Sequence, residues 1–172
     1  MSLDYERRIF TNIRYALGFI DEPVPRETVL RILDTARWAP SIGFIQPWEI
    51  IVIDDKFMIK KIAGVLPIGR RIHNAPVYVV IVTDPRIAPN THLVDGGSLA
   101  TYIMVQASLH GLAVYPVYLN NDPIVRSILG IPAHLYLHTL IAIGKPASRV
   151  PIRQPKTLNT ILYHNRYGIR FF

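Results

Sequence analysis

Two prolines, Pro40 and Pro47, bracket a short stretch in which the chain places Ser41, Gly43 and Gln46, within the longer run Thr35–Ile53. A proline fixes its own φ and pushes the residue before it out of the helical region. Gly43 permits backbone geometry that other residues resist. A stiff loop displaying a hydroxyl and an amide suits recognition of a flat polar ligand, and it suits a structured helix-to-strand turn equally well. Acid–base and nucleophilic chemistry find little support. Ser41 has no evident histidine base nearby in sequence. With no cysteine, thiolate nucleophiles, disulfides and thiolate metal sites are excluded. None of the six histidines shows metal-ligand spacing. His134 and His138, four apart, flank the start of an apolar strand, where that spacing does not bring them together. No phosphate-binding glycine loop or dinucleotide fingerprint appears. The sequence thus predicts no catalytic side chain and no metal ligand.

The elements that must hold this loop are legible from apolar periodicity. Leu3 to Leu17 reads as a helix, closed by Gly18. Asp21–Pro25 is a turn launching a second helix, with Val29, Ile32, Leu33 and Ala36 on one face and Pro40 ending it. Trp48–Ile53 is nearly continuous apolar sequence, which predicts a buried strand. Asp54 and Asp55 open a short amphipathic helix to Gly64, and Leu66–Asn74 reads as a loop. Pro76–Thr83 is a second buried strand. Asp95–Leu109 has no charge after Asp95, and a helix without a charged face is expected to be buried all round. Its small residues Gly96, Gly97, Ser98, Ala100 and Ala107 would let another helix approach, and Asp95 complements the helix dipole. Gly111–Leu119 is a helix stop and a strand, Asp122–Gly130 a capped helix, and Leu137–Ile143 a strand.

The chain of 172 residues is long enough for one domain spanning 1–172. Half its residues are hydrophobic and 18% are charged, an apolar excess that predicts an obligate oligomer. The formal charge of +7 is scattered rather than gathered in one run, so it does not indicate nucleic acid, and it permits a phosphate-bearing ligand. No apolar run reaches the roughly 18 residues of a membrane span. The N-terminus lacks an apolar signal core. A cytoplasmic protein is the expectation.

The residues Ala39-Pro40-Ser41 followed by Gln46-Pro47-Trp48 resemble the Ala-Pro-Ser…Gln-Pro-Trp signature of the nitroreductase-like flavoenzymes. Gly43-Phe44 within it resembles the family's flavin-fragmenting branch, the dimethylbenzimidazole synthases. Leu129-Gly130-Ile131-Pro132, Gly144-Lys145-Pro146 and the ending Tyr163–Tyr167 extend the likeness over nearly the whole chain. The resemblance implies an α+β nitroreductase-like fold, a mainly antiparallel sheet of four or five strands flanked by helices, in an intertwined homodimer built on 95–109.

The resemblance also implies FMN as cofactor and NAD(P)H as transient reductant, with the loop residues Pro40, Ser41, Gly43 and Gln46 against the flavin. Arg14 is what remains of the family's arginine-rich N-terminal motif, and Arg71 matches a basic position before the second strand. Pro116, Tyr118 and Leu119 match a segment that offers backbone N–H groups to the flavin. Lys156 matches the closing basic residue that reaches the phosphate, with Arg153 nearby. Three activities stay open: NAD(P)H-driven reduction of a small nitroaromatic or quinone-like electrophile, oxygen-dependent flavin fragmentation, and a non-enzymatic flavin-binding dimer. Where the fragmenting branch has an aspartate, this chain has Asn12 or Arg14.

Overall fold

The computed structural model describes residues 9–11, 13–148 and 154–172. Its elements are α1 (Arg26–Ala36), a 3-10 turn (Ile42–Phe44), β1 (Trp48–Ile53), α2 (Lys56–Val65), α3 (Gly69–Ile72), β2 (Val77–Thr83), α4 (His92–Leu109), β3 (Ala113–Tyr118), α5 (Pro123–Leu129), β4 (Tyr136–Gly144) and α6 (Leu158–Ile161). Local signals account for their limits. Pro25 precedes the first turn of α1 and Glu27 lies in that turn, where an acid complements the dipole. Asp55 caps α2 by accepting from the Met58 N–H at 2.8 Å, and Asp122 caps α5 through Ile124 and Val125, both at 2.9 Å.

Among the described residues the strands form one sheet in the order β1-β2-β4-β3, every pair antiparallel. The central strands β2 and β4 are buried on both faces, as their continuous apolar sequence requires. Tyr78, Val80 and Val82 face α2, α3 and α5, packing with Ile59, Ile62, Ile72 and Val125. Val77, Val79 and Ile81 face α1 and α4, packing with Ile32, Leu99 and Ile103. Each such fully buried side chain contributes about 1.5–3 kcal/mol relative to exposure. Tyr78 is buried with its hydroxyl donating to the Ile72 carbonyl at 3.0 Å, and burial pushes its pKa up.

Four expectations need correction. The helix from Leu3 does not extend to Leu17: from Ile13 the backbone is non-helical, and Tyr15 bridges Val114 in parallel, since pairing with the open edge of β3 satisfies those backbone groups. Strand β1 is not buried. It lies at the sheet edge, and only Ile53 is fully covered. Residues 66–74 contain the helical turn α3, whose Ile72 anchors it in the core. Helix α4 is not covered all round within one chain: Leu93, Val94, Thr101, Tyr102 and Leu109 are exposed. Of the small residues in α4, Gly96 packs inward against His138 and Ala100 and Ala107 are buried, whereas Gly97 alone among the helix's glycines faces open space.

No helix of the described residues is long and apolar enough to cross a membrane. Residues 154–172 form a strip that bonds chiefly to itself, with Tyr163 bridging Arg170 and the Arg170 guanidinium 4.6 Å over the Tyr163 ring. None of these residues is buried.

Candidate cofactor site

The loop between Pro40 and Pro47 is held in an unusual backbone state. Gly43, Phe44 and Gln46 all have positive φ, at 67°, 58° and 50°. For Phe and Gln this region costs on the order of 1 kcal/mol or more each, and such strain persists where the surroundings over-determine it. The surroundings here are explicit. The Ser41 hydroxyl accepts from the Gln46 N–H at 3.0 Å, and the Ser41 carbonyl accepts from the Phe44 N–H at 3.1 Å. From α4, the Ser98 hydroxyl donates to the Pro40 carbonyl at 2.8 Å. Asp95 accepts from the Ile42 N–H at 2.9 Å. Ser41 is thereby bracketed on both sides by bonds to one helix. Among the described residues no acceptor takes its hydroxyl proton, and the Gln46 amide lies exposed, reaching back only as far as the Arg37 carbonyl at 3.5 Å. Phe44 is 92% exposed.

Asp95 lies in the first turn of α4, as a dipole partner should, and does more than that. Asp95 is 1% exposed and its side chain reaches the loop. Sequence reasoning missed this and missed Ser98. The available signal was a single charge in an otherwise uncharged helix.

Strand β3 supplies the second component, at the opposite edge of the sheet. Leu119 pairs with β4, donating its N–H to the His138 carbonyl at 2.9 Å. That donor is spent, which corrects its expected availability to a ligand. Backbone N–H groups of an antiparallel strand alternate sides, so those of Val114 and Tyr118 point away from β4. Val114 gives its N–H to the Arg14 carbonyl at 2.8 Å. Pro116 has no N–H, and an edge strand tolerates it on the open side. Among the described residues of β3, the Tyr118 N–H is the donor left on the open edge. Tyr118 also stands on an aromatic cluster: its hydroxyl lies 3.0 Å from that of Tyr136, which donates to the Asn120 amide oxygen at 2.8 Å, and its ring meets His138 edge-on at 5.3 Å.

His138 ties this cluster to α4. Its Nε2–H donates to the Leu93 carbonyl at 2.9 Å, so its Nδ1 accepts from the Thr139 hydroxyl at 2.7 Å. Its ring lies on Gly96, where a Cβ would meet Cδ2 at 2.8 Å; only glycine allows that approach. Burial lowers the His138 pKa, reinforced by neighbouring His92 and partly opposed by the bond to Leu93. Tyr136 is pushed up to about 12, first by burial and then by Tyr118.

The cations fall elsewhere. The Arg14 guanidinium donates to the Gly111 carbonyl at 2.8 Å, just past the C-terminal end of α4. The loop lies on the first turns of that helix, so Ser98 and Leu109 are about 16 Å apart along the axis. One chain therefore does not bring Arg14 to Ser41. Arg71 lies on the other sheet face, bonded to the Tyr115 hydroxyl at 3.2 Å. Lys156 is exposed in the terminal strip, and Arg153 lies outside the described residues. Among those residues no group of three His, Asp or Glu could hold a metal ion.

The donor types, though one chain does not gather them, are those a flavin mononucleotide would need. A hydroxyl, an amide and a free edge N–H suit the carbonyls and nitrogens of the ring, and arginine and lysine suit a phosphate dianion.

Comparison with known proteins agrees with this geometry. The sequence model of the nitroreductase family matches residues 18–67. A protein of Archaeoglobus fulgidus named "Putative NADH dehydrogenase/NAD(P)H nitroreductase" is 32% identical over 136 residues, covering 74% of this chain and 78% of that protein. The crystal structure of a protein of the same name from Parabacteroides distasonis superposes with a TM-score of 0.88 at 22% identity, covering 95% and 99% of the two chains. An FMN-dependent nitroreductase from Clostridium difficile superposes with a TM-score of 0.84 at 24% identity, covering 92% and 98%. The antiparallel sheet, the helix-anchored loop and these relationships together make the chain a member of the nitroreductase family of oxidoreductase enzymes.

Proposed function

We propose that the protein binds FMN at two equivalent sites shared between two copies of the chain, and uses NAD(P)H to reduce a small aromatic or quinone-like electrophile. The observation that carries this reading is the pairing of donors at the first turns of α4. Ser41 is fixed there by Asp95 and Ser98, and the unspent Tyr118 N–H stands on the cluster that His138 ties to the same turns. The name of the Clostridium difficile neighbour supports FMN, and that of the Archaeoglobus relative supports a nicotinamide reductant.

A second copy accounts for what one chain leaves apart. Antiparallel packing of the exposed α4 faces, with Gly97 admitting close approach, would set the loop of one copy beside Arg14 of the other. The exposed Ile169, Phe171 and Phe172 would find apolar cover on the partner. Arg14, Lys156 and Arg153 would hold the phosphate, and Pro40, Ser41, Gly43, Gln46 and the Tyr118 N–H would hold and orient the ring. Bound FMN supplies the hydride and electron chemistry. The chain's own task is orientation, positive charge and a stacking slot, which needs no side-chain acid or base.

The test is NADH or NADPH consumption by FMN-reconstituted protein with a quinone or nitroaromatic acceptor. Acceptor-dependent turnover is expected. No turnover, with dimethylbenzimidazole formed from reduced FMN and oxygen, would replace this reading with the fragmenting one. Flavin uptake without either activity would leave a carrier.

A further inference from the structure

We infer that Asp95 and Ser98 are positioning residues for the flavin ring, acting through the backbone on either side of Ser41. The inference rests on the reading that loop 40–46 holds the flavin.

Asp95 is an aspartate in the core, 1% exposed, and a buried carboxylate is costly unless something specific uses it. Its position in the first turn of α4 favours the negative charge. One oxygen is used on the Ile42 N–H at 2.9 Å, and the other has no hydrogen-bond partner among the described residues. Among the described residues its side chain thus bonds to the loop and to no part of its own helix. A charge-assisted bond to a backbone N–H is about twice as strong as a neutral one. Ser98, one turn later, fixes the Pro40 carbonyl at 2.8 Å. Immediately beyond the Ile42 anchor the loop carries three positive φ values, at Gly43, Phe44 and Gln46, a state that relaxes when its restraints are removed. The position of Ser41 is therefore set by α4, and a ligand that bonds to Ser41 inherits that position. The anchors address the part of the ligand at the loop, while the candidate phosphate residues Arg14 and Lys156 lie elsewhere. Losing an anchor should weaken FMN and riboflavin alike.

The experiment measures FMN and riboflavin affinity by flavin fluorescence, together with amide hydrogen exchange at Ile42 in the full chain without flavin. Asp95→Ala and Ser98→Ala should each weaken both flavins by the same factor, roughly tenfold. In Asp95→Ala the exchange protection of Ile42 should fall by at least about tenfold. Asp95→Asn, which keeps an acceptor oxygen, should restore Ile42 protection and most of the affinity. A purely structural role would lower affinity without this rescue. Unchanged affinity in both alanine variants overturns the inference, as does a loss confined to FMN. Unchanged Ile42 exchange in Asp95→Ala overturns the anchor itself. If Asp95→Ala does not fold, Ser98→Ala carries the test, and wild-type affinity for both flavins there overturns the inference. If the wild-type protein takes up no flavin, the functional reading fails on its own, and Ile42 exchange still decides whether Asp95 holds the loop.

Discussion

Arg14 and Ser41 lie at opposite ends of α4. Arg14 bonds to Gly111 just past the helix's last residue, and Ser41 is bracketed by Asp95 and Ser98 in its first turns. Neither is buried, and the helix face carrying Val94, Thr101 and Leu109 is open to solvent. Two copies packed through that face would bring unlike ends together.

The protein should therefore sediment as a homodimer at micromolar concentration. Gly97 faces open space, so Gly97→Trp should shift the equilibrium toward monomer and lower flavin content with it. A compact folded wild-type monomer would contradict the shared site.

The phosphate contacts make a sharper prediction. Arg14→Ala and Lys156→Ala each remove a charge-assisted partner, at a cost of about 1.5–3 kcal/mol, or roughly ten- to a hundredfold in FMN affinity. Riboflavin, without the phosphate, should be affected much less. Arg31→Ala, on the exposed face of α1, should affect neither. Equal losses for FMN and riboflavin would place Arg14 and Lys156 elsewhere.

Flavin identity follows from the same contacts. Flavin extracted from the protein as purified, or retained from an equimolar mixture of FMN and FAD, should be FMN, because the dispersed cations suit one terminal phosphate and the sequence carries no dinucleotide fingerprint. Recovery of FAD would contradict this.

His138 gives a pH dependence with a defined sign. Burial first, and then neighbouring His92, lowers its folded pKa, so the unfolded chain takes up a proton more readily. Stability should fall as pH drops below about 6.5, the ordinary histidine value, and level off only below the lowered folded pKa. Melting temperatures between pH 5 and 8 should slope more steeply in the wild type than in His138→Gln. Parallel slopes would show that His138 titrates as an ordinary histidine.

Much of the fold was legible because its signals are local. The apolar runs of β2 and β4, the caps at Asp55 and Asp122, and the loop between Pro40 and Pro47 all follow from short-range rules. What escaped depends on tertiary placement. An apolar strand reads the same at an edge as at the centre, so the sequence of β1 predicts a burial that its edge position denies it. The N-terminal segment has helical periodicity, yet from Ile13 it pairs with β3, whose open edge no local rule announces. Asp95 sits where a dipole partner belongs, and only the packed structure shows it reaching Ile42 across 53 residues. The spent N–H of Leu119 required the register of β3 on β4.

The most direct measurement is the visible absorbance spectrum of purified protein reconstituted with FMN, recorded anaerobically before and after addition of NADH or NADPH. Bound flavin with shifted bands, bleached by the nicotinamide and restored by a quinone, is the predicted result. A protein that returns from gel filtration colourless after reconstitution, or whose bound flavin neither nicotinamide bleaches, would contradict an FMN-dependent NAD(P)H oxidoreductase.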